Sequence, residues 1–201
     1  MQEYRIAEYG SLNDIQKEQA IDIFIEGFGY LMTFTRDKEI LKELFRKGFH
    51  TSLFLCYVEA EKVLGIMGLG TNRVRPLKFD HDICVSLFGK RKGTILCKQM
   101  NAIFQSPVVK GDKELYIDIL ATAGYARGKG VAMKLINYAF SLYQYETCYI
   151  EVFSKNETAL RLYCKAGFSK YREKKFSPMI FLGSGYPILM KMDFPLQEEK
   201  K

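Results

Sequence analysis

The stretch ARGKGVAMK, residues 126–134, places two glycines immediately before a run of residues with helical spacing. It follows ELYIDILAT (114–122), a strand pattern, and leads into VAMKLINYAFSLYQ (131–144), a helix pattern. Glycine costs about 1 kcal/mol relative to alanine inside a helix, so Gly128 and Gly130 need a reason. A helix start offers unpaired N–H groups and the positive end of a dipole, and glycines let a bulky anion approach them. The strand–turn–helix context therefore predicts a phosphate cradle.

Other well-known site patterns are missing from the sequence. The glycine spacing is neither G-x-x-x-x-G-K-[ST] nor G-x-G-x-x-G, which excludes a P-loop and a dinucleotide fingerprint. The chain has no G-x-S-x-G elbow, only two histidines, and cysteines that form no C-x-x-C pair. We therefore expect no metal site and no catalysis by a serine elbow.

Periodicity along the chain predicts alternating strands and helices. Strands are predicted at 4–9, in a hairpin over 52–72 that turns at AEK, at 147–153, at 168–176 and at 186–194, and helices at 14–27, 36–48 and 156–167. Residues 114–168 form a βαβα unit, which implies parallel neighbouring strands joined by a right-handed crossover. The length of 201 residues suits one domain. The predicted fold is a single α/β (α+β) domain over residues 1–201, with a mixed, mostly antiparallel sheet and a central parallel βαβ pair flanked by helices.

The segment 72–113 interrupts this alternation and carries most of the net charge of +7. It contains nine Lys or Arg against three Asp or Glu, an excess of six. We predict an irregular insertion with a helix only at 94–105. Its charge indicates either a solvated basic surface or attraction of an anionic ligand or of nucleic acid.

Two sequence blocks resemble the GNAT superfamily of N-acyltransferases. RGKGVA (127–132) matches the signature [Q/R]-x-x-G-x-[G/A], and NETALRLYCKAGF (156–168) matches N-x-x-A-x-x-x-Y-x-x-x-G-F. The resemblance implies acetyl-CoA as the acyl donor, with its pyrophosphate on the glycine loop and its pantetheine arm beside the preceding strand. The donor-binding residues implied are Ile119, Leu120, Ala121, Arg127, Gly128, Lys129, Gly130, Val131, Ala132 and Asn156.

The resemblance also indicates roles in transfer of the acetyl group to an amine. Tyr163 is the candidate acid that protonates the departing thiolate, the alternative being an ordinary core tyrosine. Asp118, an acid inside an apolar strand, is the candidate base, the alternatives being a solvent-facing side chain or a pair with a lysine. Backbone N–H groups near Leu120 and Ala121 would hold the oxyanion if the strand is bulged there, and a bulge would splay it from residues 147–153. Asn156 would bond the pantetheine arm, cap its helix, or do both.

The acceptor side of the site is less defined. Phe28, Tyr30, Phe34, Met179 and Phe181 are candidates for an apolar wall. The insertion would either cap the acceptor site, favouring a carboxylated amine, or dock a second subunit, so a monomer and a homodimer both stay open.

The function that follows is N-acetylation of a primary amine, on a small molecule or a peptide, by direct transfer. The alternative is a non-catalytic acyl-CoA-binding module on the same scaffold. Nucleic acid is an unlikely partner because no recognition motif accompanies the positive charge. No membrane partner is expected, since the apolar runs are short and the N-terminus does not resemble a signal peptide. Five cysteines without a pairing pattern indicate reduced thiols in the cytoplasm.

Overall fold

A computed structural model describes residues 3–142, 145–176, 180 and 183–194 of the chain. In chain order the strands are β1 (Tyr4–Glu8), β2 (Phe54–Glu59), β3 (Lys62–Gly70), β4 (Glu114–Thr122), β5 (Thr147–Phe153), β6 (Ser169–Glu173) and β7 (Pro187–Asp193). The helices are α1 (Asp14–Phe28), α2 (Lys38–Arg46), α3 (His81–Phe88), α4 (Lys90–Phe104), α5 (Val131–Phe140) and α6 (Glu157–Lys165). Within the described ranges, no helix is both long and apolar enough to cross a membrane.

All seven strands form one sheet in the order β1-β2-β3-β4-β5-β7-β6. The β4–β5 pair is parallel, and the other neighbours pair antiparallel. This confirms the predicted mixed α/β sheet with one central parallel pair. The predicted hairpin is also present, because Ala60 and Glu61 both adopt positive φ between β2 and β3.

Apolar side chains from α1 and α2 form an aromatic cluster with the sheet. The ring of Phe24 lies 4.5 Å from that of Phe45, and Phe49 stacks on Phe54 of β2 at 3.9 Å. Asn13 starts α1 with a reciprocal capping box, which satisfies N–H groups that the helix itself leaves unpaired. These contacts fix α1 beside β3 and β4, where its C-terminal end reaches the site described below.

The insertion between β3 and β4 is a helical hairpin, so the prediction of an irregular segment was wrong. Helix α3 was missed altogether, and α4 begins at Lys90 rather than at residue 94. Gly89, with φ of +78°, joins the two helices directly. Gly93 lets them cross closely, since a Cβ there would lie 2.2 Å from the carbonyl oxygen of Cys84. A short helix has a weak periodic signal, and a glycine that serves a tertiary contact lowers the helix propensity around it. These two effects explain why α3 and the start of α4 were not predicted.

The central strands diverge at a β-bulge. The β3–β4 register passes from Gly68↔Ile119 to Leu69↔Ile117, so Asp118 is the extra residue. Pairing of β4 with β5 ends at Ile117↔Ile150, whereas β5 continues to pair with β7 as far as Phe153. The predicted splay is therefore present, with its bulge at Asp118 and not at Leu120 or Ala121.

Candidate active site

A cleft of about 570 Å³ opens where β4 and β5 diverge. It is bordered by strands β4 and β5, the end of α1, the start of α5 and one face of α6. Its lining includes Gly27, Phe28, Tyr30, Asp118, Leu120, Ala121, Arg127, Ala132, Glu151, Asn156 and Tyr163. The bulge and the two sequence blocks thus meet around one space.

The glycine loop is an open cradle at the start of α5. Gly128 and Gly130 both have φ of +79°, and no atom of the described residues lies within 4 Å of where a Cβ would stand on either. The helix has no side-chain N-cap and no acidic residue in its first turn, unlike α1, α2 and α6. Its N–H groups and dipole are therefore left for an external anion, which fits the pyrophosphate of CoA.

Arg127 places a cation at the edge of this cradle. Its guanidinium lies 3.0 Å from Glu26 of α1, and both side chains are mostly exposed. An exposed pair of this kind contributes little to stability, so the arginine can exchange its partner for a phosphate at low cost. Lys129 is exposed beside it.

The backbone of β4 presents to the cleft a donor that has no partner among the described residues. Ala123 donates its N–H to Leu64 of β3, and the register between them places Ala121 in the same orientation. Neighbouring residues in a strand point their N–H groups to opposite sides, so the N–H of Leu120 faces the gap left by β5. Of the two N–H groups considered from the sequence, that of Leu120 is the one available to an oxyanion.

Tyr163 reaches the cleft from α6 and is only 6% exposed. Its ring packs edge-on against Phe168, with centroids 6.2 Å apart. Burial raises the pKa of Tyr163 above its ordinary value, so the phenol is protonated at neutral pH. Such a group can donate a proton or a hydrogen bond to a sulfur in the cleft.

Asp118 lines the cleft, but both of its oxygens are engaged by Arg75 of the insertion. The guanidinium Nε and Nη2 each lie 2.7 Å from one carboxylate oxygen, and both side chains are 8% exposed. Burial raises the pKa of Asp118, while the arginine opposes that rise. A carboxylate held at both oxygens by a guanidinium is a poor acceptor for a proton from an amine.

Glu151 of β5 is a cleft carboxylate that the sequence reasoning missed. It follows Ile150, the last residue paired with β4, and its partner is the exposed Lys174 at 3.2 Å. The criterion applied to Asp118 would have found it, because Glu151 is likewise the lone acid inside an apolar strand, TCYIEVF. Its side chain is 27% exposed, which leaves it accessible to a molecule in the cleft.

The other predicted residues divide between lining, capping and core positions. Ala132 lines the cleft, and the side chains of Ile119 and Val131 are buried in the core, leaving only their backbone to face a ligand. Asn156 lines the cleft and also caps α6 by accepting a hydrogen bond from the N–H of Ala159 at 3.1 Å, so both readings of this residue are compatible. On the acceptor side, Phe28 and Tyr30 line the cleft.

Of the three other acceptor-side predictions, Phe34 does not line the cleft. Phe34 packs its ring edge-on against Phe79 and Phe88 of the insertion, at 6.2 and 6.1 Å. Met179 and Phe181 lie outside the described residues.

Comparison with known proteins gives one family match and many structural neighbours. A family model described as "Acetyltransferase (GNAT) family" matches residues 18–168. No curated protein sequence matches the chain. An N-acetyltransferase from Staphylococcus aureus Mu50 superposes with a TM-score of 0.59 at 17% identity, over 94% of this chain and 100% of that one.

Two other solved structures show the same likeness. Ard1 from Thermoplasma volcanium gives a TM-score of 0.56 at 17% identity, over 96% of this chain and 98% of that one. The ribosomal-protein-S18-alanine N-acetyltransferase from Escherichia coli gives 0.54 at 12% identity, over 99% of each chain. At these identities the superpositions establish the fold.

Proposed function

Since the chain belongs to the GNAT acetyltransferase family, we propose that it transfers the acetyl group of acetyl-CoA directly to a primary amine. The amine nitrogen forms a bond to the carbonyl carbon, the carbon–sulfur bond breaks, the amine loses a proton and the thiolate gains one. The observation that carries the proposal is the open glycine cradle at the start of α5, which adjoins the same cleft as Tyr163.

Binding of the donor rests on backbone groups and one cation. Gly128 and Gly130 admit the pyrophosphate to the N–H groups at the start of α5, and Arg127 adds its charge. The gap between β4 and β5 takes the pantetheine arm, much as a sheet edge takes an added peptide strand. Asn156 borders this gap from the start of α6.

Three groups of the chain serve the transfer itself. The N–H of Leu120 stabilises the negative oxygen, and Tyr163 protonates the sulfur. We assign acceptance of the amine proton to Glu151 rather than to Asp118, because Arg75 engages both oxygens of Asp118. Phe28 and Tyr30 flank the acceptor.

The proposed acceptor is the one that the sequence indicated, an amine on a small molecule or a peptide. The four buried free thiols, Cys56, Cys84, Cys97 and Cys148, support the expected reducing, cytoplasmic location.

The test compares acetyl-CoA binding by calorimetry in the wild type and in two glycine variants. Gly130→Ala puts a methyl group into the cradle, and we expect an affinity loss of about tenfold or more. Gly183→Ala is the matched control, because Gly183 also has φ of +79° with open space around it, so both variants carry the same backbone strain. Equal affinity in all three proteins would refute the cradle.

Release of free thiol from acetyl-CoA in the presence of a panel of amines and peptides then separates the enzyme from a binding module. An enzyme releases thiol with at least one acceptor. Tight donor binding without release by any member of a broad panel would favour the non-catalytic alternative.

A further inference from the structure

Arg75 joins three separate segments of the chain. It lies near the start of the insertion, its Nε and Nη2 bind Asp118 at the β4 bulge, and its Nη1 donates to the carbonyl oxygen of Ser106 at 2.6 Å. Ser106 follows α4, near the other end of the insertion. One side chain therefore holds both ends of the helical hairpin against the bulge.

The surroundings of Arg75 are shaped to hold its side chain in this position. A Cβ on Gly70 would lie 3.1 Å from its Cδ, so the glycine leaves room for the aliphatic stem. The guanidinium carbon lies 5.3 Å from the centroid of the Tyr116 ring, within range of a cation–π contact. A planar guanidinium fixed by three hydrogen bonds and an aromatic face has very little freedom to move.

A second ion pair, which we call the outer clasp, joins the two ends of the same insertion at the solvent-exposed surface. Arg73 binds Asp112 at 2.9 Å, and Asn72 binds the same oxygen at 2.9 Å. Arg73 and Asp112 are 78% and 70% exposed, and neither contacts the bulge in the described structure. The chain thus provides an inner pair and an outer pair of the same chemical type.

The inner pair acts at the point where β4 departs from β5. Asp118 is the bulged residue, and Leu120, whose N–H faces the gap, lies two residues beyond it. Among the described residues, none from 72–113 lines the cleft. The insertion therefore reaches the donor slot only indirectly, and Arg75 gives it a direct contact with the bulge that borders this slot.

We propose that Arg75 is a positioning residue, through which the insertion holds the Asp118 bulge and keeps the donor slot between β4 and β5 open. The link to the donor rests on the function proposed above, whereas the hold on the bulge is a property of the free protein. The insertion is then part of the donor site without touching the donor.

The test removes the charges of the inner pair, Arg75 and Asp118, and of the outer clasp by the same kind of substitution. The double variant Arg75→Met/Asp118→Asn removes both charges together, so no buried charge is left unpaired. Arg73→Met/Asp112→Asn makes the same changes in the outer clasp. Amide hydrogen exchange of the free proteins and calorimetric binding of acetyl-CoA are measured for both variants and the wild type.

We expect the inner variant to exchange the amides of Ile119 and Ala121, which face β3, about tenfold faster or more, with β1 and β2 unchanged. We expect its affinity for acetyl-CoA to fall by about tenfold or more. The outer variant should keep the exchange rates and the acetyl-CoA affinity of the wild type. Unchanged exchange in β4 of the inner variant, or an equal effect in the outer variant, would overturn the proposal. Hydrogen exchange is measured without ligand. A wild type that binds no acetyl-CoA would refute the proposed function, but the exchange rates would still decide whether Arg75 holds the bulge.

Arg75→Lys covers the case in which the inner variant does not fold. Lysine keeps the charge but loses the bidentate geometry, so exchange in β4 should rise by an intermediate amount. Wild-type exchange and wild-type affinity in this variant would also overturn the proposal.

Discussion

Replacing Tyr163 with phenylalanine tests the proposed proton donor, because it removes one hydroxyl and keeps the ring. In the described structure that hydroxyl makes no hydrogen bond to the protein, and the ring contact with Phe168 does not depend on it. The free energy of unfolding should therefore change by less than about 0.5 kcal/mol. Loss of a general acid lowers turnover by roughly 10²-fold, which corresponds to about 2.7 kcal/mol of activation free energy.

A second buried tyrosine provides the control with the opposite expectation. Tyr149 of β5 does not line the cleft, and its hydroxyl donates to Glu114 at 3.2 Å. Tyr149→Phe should lower the free energy of unfolding by about 1 kcal/mol and leave turnover unchanged. The two variants thus separate a role in catalysis from a role in packing.

The assay is steady-state thiol release with a saturating amine, alongside urea unfolding and calorimetric binding of acetyl-CoA. Tyr163→Phe should bind acetyl-CoA as the wild type does. Because burial raises the pKa of Tyr163 above its ordinary value, ionisation of this phenol should not limit turnover at mildly alkaline pH. Wild-type turnover in Tyr163→Phe would show that the proton comes from water and that the residue serves packing alone.

The remaining predictions concern the carboxylates and the thiols. Glu151→Gln should lower turnover by about 10²-fold or more with acetyl-CoA affinity unchanged, and wild-type turnover measured by thiol release would rule out its role as base. With a thiol-reactive dye at mildly alkaline pH, only the exposed Cys164 should react in the folded protein, and all five thiols in denaturant. Burial raises the pKa of Cys56 to about 12, so its reactive thiolate is scarce, and rapid labelling of more than one thiol in the folded state would contradict the buried positions.

The fold was predictable because its central elements carry strong local patterns. The pattern ELYIDILAT gave β4 correctly, and the glycines before Val131 correctly marked the start of α5. The splay between β4 and β5 was anticipated, but the position of the bulge was not, since a bulge depends on the register with β3. Register is a relation between two strands and leaves little trace in either one alone.

The ion-pair partner of Asp118 could not be predicted from the sequence, for a related reason. Arg75 lies 43 residues earlier, in a segment whose helices were only partly recognised. Local periodicity cannot report a contact at that separation, and an acid in an apolar strand fits a base and a buried ion pair equally well. Glu151 has the same local signal as Asp118, but the family resemblance implies a base on β4 and therefore predicted no role for an acid in β5.

The topology explains why two sequence blocks separated along the chain serve one cleft. Strands β4 and β5 are parallel, so the helices that follow them, α5 and α6, begin at the same edge of the sheet. The glycine cradle starts α5, and α6 carries Tyr163, so in the proposed function consecutive βα connections position the phosphate end and the reactive end of the donor. Two parallel strands paired to their ends would fill the space between these helices with sheet hydrogen bonds. The bulge at Asp118 prevents that pairing and leaves the N–H of Leu120 in the gap, without a partner in the part of the chain that the structure describes. A bulge that carries a buried carboxylate needs a counter-charge, and the chain supplies it from the insertion between β3 and β4, through Arg75.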